Sequence, residues 1–264
     1  MMRGLFLLAA LSGLGSVAIA DTAYIEPSTF TPRVDQTITI ETSFNDYCCV
    51  PKYPVRSDSF AVMHPDGRSV EPDRVELFAN STIIEQTITE QGTTRITTGE
   101  RLGRKGGEYV LLDGQYFLIN SEDADPIEVP EGARMLSSQT ATVSDTYVTV
   151  GDPSWESVRQ PIGRLQIQPQ QHPSLLKSGD TFDITITFDG VPIFGQDLVL
   201  TRSGQKDRPS DEGVVFQSNA KGEVSIPLSR SGTHLIMTRM QAPAPKGTDT
   251  DIRSYTTSLT FAVN

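Results

Sequence analysis

Residues 163–200 read GRLQIQPQQHPSLLKSGDTFDITITFDGVPIFGQDLVL, and the alternation in this stretch decides the fold. Leu165 and Ile167 alternate with polar residues, and the turns Gln171-His172-Pro173 and Ser178-Gly179-Asp180 follow. Phe182, Ile184, Ile186 and Phe188 then recur at a period of two, which places all four on one face of a strand. Asp189-Gly190 is a turn dipeptide, and Pro192-Ile193-Phe194-Gly195 leads into a third strand carrying Leu198 and Leu200. Short strands separated by turn chemistry read as the front half of an antiparallel β-sandwich.

The pattern continues on both sides. Downstream, strands are expected over Val214–Gln217, Glu223–Leu228, Thr233–Met240 and Tyr255–Val263. Residues 218–222 tightly join the first two, and 241–251 form a Pro/Gly/Asp loop. Upstream, strand-like runs fall at 23–25, 37–41, 59–63, 74–78, 83–88 and 93–97. His64-Pro65-Asp66-Gly67 reads as a type I or II turn. Asp113-Gly114, between 108–112 and 116–119, is the strongest hairpin signal in the chain. Residues 120–132 are acidic and Pro-bearing, hence a loop; 134–139 read as a short helical turn and 140–150 as a Thr/Val strand. The expected organisation is all-β, with an N-terminal β-rich domain over 21–152, a linker over 153–162, and an Ig-like or transthyretin-like C-terminal sandwich over 163–264. Trp155 falls in the linker, where it either pins the two halves together or stays partly exposed.

Residues 1–20 stand apart from this pattern. Arg3 gives a short positive start, Gly4–Leu14 is an apolar run too short to span a bilayer, and Ala18-Ile19-Ala20 fits the small-x-small cleavage rule. A signal peptide cut between Ala20 and Asp21 is therefore expected. The mature chain is expected to be exported and to lack an integral membrane segment. The charge balance, 33 acidic against 22 basic residues for a net −11, repels phosphate backbones and argues against a nucleic-acid partner.

Candidate chemistry is sparse. No nucleophile elbow, SxxK, phosphate-cradling loop or dinucleotide fingerprint is present, so a non-enzymatic role is expected. The two cysteines, Cys48 and Cys49, are adjacent. Neighbouring Cα atoms lie about 3.8 Å apart, below the usual disulfide span of roughly 4.4–6.8 Å, so a bond between them closes a strained ring. Three readings compete: a vicinal disulfide, two unpaired or intermolecularly linked thiols, and a soft-metal site for Cu(I) with help from Met63 or His64. His64, His172 and His234 are far apart and lack zinc-site spacing. The metal-ligand candidates are Cys48, Cys49, His64 and His172. The acidic loops at 122–125 and 249–251 do not fit the EF-hand template.

Several of these motifs carry a family resemblance. Leu165-Gln166-Ile167-Gln168-Pro169, His172-Pro173, the Gly179-Asp180 turn, Gly190-x-Pro192-x-x-Gly195, Ala220-Lys221-Gly222-Glu223 leading to Pro227, and Gly232 form the pattern, with Ile25-Glu26-Pro27-Ser28 near the start. Together they resemble a periplasmic domain-of-unknown-function family associated with nickel or cobalt uptake. The resemblance implies two β-rich modules, periplasmic residence and an association with divalent transition-metal traffic, with Ni, Co or Cu as candidate metals. It also implies an envelope protein or a metal-uptake permease as partner. Members commonly open their mature chain with histidines; this chain opens Asp21-Thr22-Ala23-Tyr24, with Ala23 where an amino-terminal metal site needs a histidine. Two functions remain: an accessory protein of metal uptake, or an envelope interaction module for a protein or glycan.

Overall fold

The computed structural model describes residues 21–45, 48–119, 127–203 and 213–264. In the first half the strands are β1 (Thr22–Pro27), β2 (Gln36–Asn45), β3 (Tyr53–Pro54), β4 (Ala61–Met63), β5 (Ser69–Val70) and β6 (Arg74–Leu77). They continue with β7 (Thr82–Ile88), β8 (Gly92–Thr97), β9 (Arg101–Leu112), β10 (Gln115–Ile119) and β11 (Met135–Val150). A one-turn helix, α1 (Glu156–Arg159), follows. The second half holds β12 (Leu165–Pro169), β13 (Thr181–Phe188), β14 (Val191–Pro192), β15 (Asp197–Arg202), β16 (Val214–Gln217), β17 (Glu223–Pro227), β18 (Gly232–Pro243) and β19 (Ile252–Val263). The fold is all-β.

The strands of the opening stretch form as their alternation dictates. β12 pairs antiparallel with β13, Ile167 opposite Ile186, and β17 flanks the other side of β13. Phe182, Ile184 and Ile186 are fully buried, and burial of each contributes about 1.5–3 kcal/mol. They face Leu198, Ile236, Leu259 and Phe261 from the opposing sheet, with Phe182 and Phe261 rings 5.0 Å apart. A second core, built on Ile25, Ile38, Ile40, Ile84 and Ile96, fills the first half.

The two cores share one sheet. Among the described residues its ten strands run β16-β15-β18-β19-β11-β8-β4-β5, with β9 also on β11 and β10 on β9. The join is parallel: Ser138–Thr146 of β11 lie beside Ile252–Thr260 of β19. Strand alternation lets β11 serve both cores, since Ala141 and Tyr147 enter the second and Val148 and Val150 the first.

β1 lies across that join. Its Ala23 carbonyl accepts hydrogen bonds from Ser144 Oγ (3.1 Å) and Ser258 Oγ (2.6 Å), and its Ile25 N–H donates to Thr260 Oγ1 (3.3 Å). Hydroxyls on the shared sheet thus satisfy backbone groups that an edge strand otherwise leaves open.

Two expectations are corrected. Residues 134–139 are not a helical turn: Met135–Gln139 open β11, because pairing with β9 outweighs the local helix propensity of Ala133, Arg134 and Met135. Nor do residues 241–251 form a loop throughout: Gln241–Pro243 continue β18, paired with Ile252–Ser254 of β19, while α1 occupies Glu156–Arg159 within the expected linker. The hairpin at Asp113-Gly114 forms, with φ of 49° and 82°, as a two-residue primed turn requires. Most of the expected 120–132 loop, including Glu122, Asp123 and Asp125, lies outside the described residues.

Candidate functional site

The densest polar chemistry lies where 153–162 meets both cores. Arg95, on β8, is opposite Tyr147 of β11. Its Nε donates to Asp145 Oδ1 at 3.0 Å and its Nη2 to Oδ2 at 2.6 Å, a bidentate pair with side chains only 5% and 8% exposed. Nη1 donates to the Gln160 carbonyl at 2.6 Å, so the guanidinium also ties down the chain just after α1. Burial alone would lower the Arg95 pKa, but Asp145 more than offsets it and holds the group above its ordinary value. Burial pushes the nearby Tyr147 phenol up to about 12. The adjacent cavity, lined by Arg95, Asp145, Gln160 and Gln166, measures about 20 Å³, room for about one water.

His172 is the second knot. It is buried at 3% exposure, and its Nε2 lies 3.0 Å from the Ser154 carbonyl and 3.1 Å from Thr93 Oγ1. A carbonyl only accepts, so Nε2 carries the proton and donates; Nδ1 then accepts from the Ser174 N–H (3.2 Å) and hydroxyl (2.8 Å). Trp155 stands edge-on to the imidazole at 5.0 Å, and Arg159 lies 4.5 Å over the indole. Burial depresses the His172 pKa, opposed by the bond to Ser154. The ring links β8, the residues before α1, and the 3-10 turn Pro173–Leu175.

The structure does not bring Cys48, Cys49, His64 and His172 together. Cys48 and Cys49 are joined by a disulfide, and Cys48 is buried against Tyr24 and Leu235. His64 Nδ1 pairs with Glu90 at 3.1 Å, a carboxylate that Arg68 also holds at 2.9 Å. Both nitrogens of His172 are engaged as described. His234 is buried, stacked on Phe261 and bonded through Nδ1 to the Gly232 carbonyl. The carboxylates of the 249–251 loop are likewise engaged, Asp249 by Lys105 and Asp251 by Arg134 and Ser137. Among the described residues no three His, Cys, Asp or Glu side chains converge as a metal site.

Sequence reasoning missed Arg95 and Asp145. The signal was present in GTTRITT, where one arginine interrupts a strand whose neighbours are all buried. A charge in a fully buried strand demands a partner.

Residues 18–242 match the family described as "Domain of unknown function (DUF4198)". The chain belongs to that family. No curated protein matches this DUF4198 chain. Among solved structures, the D0-D1 domain of intimin is 10% identical, with 90% of this chain and 96% of that one covered and a TM-score of 0.23. The Yersinia pseudotuberculosis adhesin InvE is 12% identical, with 92% and 59% covered and a TM-score of 0.22. The mouse nectin-like molecule 4 ectodomain is 12% identical, with 89% and 62% covered and a TM-score of 0.19. With scores this low, the DUF4198 fold is read from its own strands and cores.

Proposed function

We propose that this DUF4198 protein is an exported, non-enzymatic interaction module that binds a protein partner in the cell envelope by strand addition. The observation that carries this reading is β16, the terminal strand of the ten-stranded sheet. Val214 and Val215 on it are 57% and 49% exposed. A sheet edge offers unpaired N–H and C=O groups to an incoming strand, and natural edges are usually blunted by charge or proline. Val214–Gln217 carries neither. The buried polar groups are engaged internally, Arg95 with Asp145 and the Gln160 carbonyl and His172 with Thr93, Ser154 and Ser174, which supports a scaffold role for them. The signal-like segment 1–20 supports export.

A photo-crosslinking amino acid at position 215 tests the reading. In the intact envelope it is expected to give one discrete heavier species, whereas the same group at exposed Lys177 gives none. Equal adducts at both positions, or none at 215, would reject it. Metal carriage, the reading implied by the resemblance, is separated by equilibrium dialysis against Ni²⁺, Co²⁺, Zn²⁺ and Cu(I). The interaction reading expects no stoichiometric binding; one equivalent of bound metal would restore the accessory-carrier reading.

A further inference from the structure

A different strand edge lies in another sheet. β6 is the outer strand of the sheet ordered β1-β2-β7-β6, and all four of its residues are exposed. The Phe78 N–H donates to the Ser81 carbonyl at 2.8 Å. Hydrogen-bonding residues alternate along an antiparallel ladder, so Arg74 and Glu76 also turn their backbone groups toward β7. Val75 and Leu77 turn theirs outward, to the open edge.

The side chains follow the same parity. Val75 lies opposite Ile84 and Leu77 opposite Thr82, so both point to the face of the sheet on which fully buried Ile84 packs. Yet Val75 is 43% and Leu77 52% exposed, and among the described residues no further strand pairs beyond β6 to cover them. Arg74 and Glu76 occupy the opposite face, in contact with each other and, for Arg74, with Glu85 at 3.3 Å.

We infer that β6 pairs antiparallel with β6 of a second copy of this chain, Val75 opposite Val75 and Arg74 opposite Glu76. A two-fold axis normal to the sheet keeps residues of one face together, so only shifts of two residues are open. One such shift places Arg74 against Arg74 and the other places Glu76 against Glu76. Like charges directly opposite destabilise a sheet pair, and opposite charges favour it. The register centred on Val75 is therefore the one in which both charges are matched, flanked on either side by registers that repel. Its formation gives the outward Val75 N–H and C=O reciprocal partners and sets the two Val75 side chains side by side. The exposed contacts of Arg74 with Glu76 and Glu85 are weak in water and exchange for intermolecular ones at little cost. A four-residue edge buries less than about 1,200 Å², which makes the pair transient and concentration-dependent.

Two measurements decide this. Sedimentation velocity of the purified protein between about 10 µM and 1 mM is expected to show a reversible monomer–dimer equilibrium. Val75→Pro removes the outward donor without touching the ladder to β7 and should weaken the dimer at least tenfold, as should Arg74→Glu. The double exchange R74E/E76R restores the charge match and should recover it. Thermal melts of each variant establish that it is folded. Disulfide trapping supplies the register independently: opposite backbones lie about 5.5 Å apart at Cα in a hydrogen-bonded pair, within the roughly 4.4–6.8 Å a disulfide spans. Val75→Cys should therefore cross-link to itself much faster than Leu77→Cys, whose opposite residue is Asp73. A monomer at all concentrations, a dimer indifferent to Val75→Pro, or equal cross-linking at 75 and 77 would overturn the inference. None of these outcomes bears on β16, so this proposal and the proposed function stand or fall separately.

Discussion

At the scale of single residues, His172 has the clearest consequence. Its Nδ1 accepts two bonds from Ser174 and its Nε2–H serves Ser154 and Thr93. Protonation at Nδ1 would turn the acceptor into a donor facing a donor N–H. Burial accordingly holds its folded pKa below the unfolded value, which is about 6.5. For a histidine depressed on folding, the unfolded state binds more protons, so its stability contribution is complete above about pH 6.5 and is lost as pH falls toward the folded pKa. Thermal melts from pH 8 to 5 should therefore be flat above neutrality and fall below about pH 6.5, with His234, also depressed by burial, adding to the slope. His172→Gln should reduce the slope in that window; an unchanged slope would show that the imidazole does not titrate on unfolding. The sequence placed His172 in a turn before a proline, and the structure agrees. What no local pattern could supply is that Thr93 and Ser154 close around it, since Thr93 is 79 residues away.

Elements were legible where one rule governed them. The strands around Phe182–Phe188 and 83–88, and the Asp113-Gly114 hairpin, follow from period-two alternation and turn chemistry that need no distant information. β9 was only half visible because Gly103, Gly106 and Gly107 interrupt its pattern. Gly107 has a tertiary reason, since a Cβ there would meet Ser138 Oγ at 2.7 Å. The start of β11 was hidden for a related cause, being strand only because β9 pairs with it. The Arg95–Asp145 clamp belongs to this scale, holding β8, β11 and the segment after α1 in fixed relation. Arg95→Met leaves Asp145 as a buried carboxylate without its cation, and breaking such a pair from one side costs about 3–5 kcal/mol. Urea unfolding should show that loss as a lower midpoint with an unchanged slope. A change within about 0.5 kcal/mol would mean that Asp145 is rescued by solvent and that the clamp holds nothing in place.

For the molecule as a whole, the arrangement least visible in the sequence is the shared sheet. Composition and turn spacing divide the chain into a first half, a connecting segment and a second half, and the two main hydrophobic cores follow those halves except that Ala141 and Tyr147 of β11 and Val158 of α1 enter the second. Parallel pairing of Ser138–Thr146 with Ile252–Thr260 joins residues 114 positions apart. These strands are rich in Ser and Thr and carry no charge pattern or turn that specifies a neighbour. Their hydroxyls instead serve the third element of the join, β1, through Ser144, Ser258 and Thr260. The halves therefore cannot open independently: separating them strips β19 of one ladder and removes Ser258 and Thr260, two of the three hydroxyl partners of β1. Unfolding should be one cooperative event, with calorimetric and van't Hoff enthalpies equal. A fragment comprising residues 163–264 keeps the second core's own Phe182, Ile184 and Phe261, but it lacks Ala141 and Tyr147 and leaves the long edge of β19 unpaired. That edge is open to pairing with other chains, so the isolated fragment should aggregate or show collapsed amide dispersion by NMR. A monomeric, well-dispersed fragment, or two resolved transitions in the intact protein, would mean that the β11–β19 ladder contributes little. The two sandwiches would then be independent domains that merely lie edge to edge.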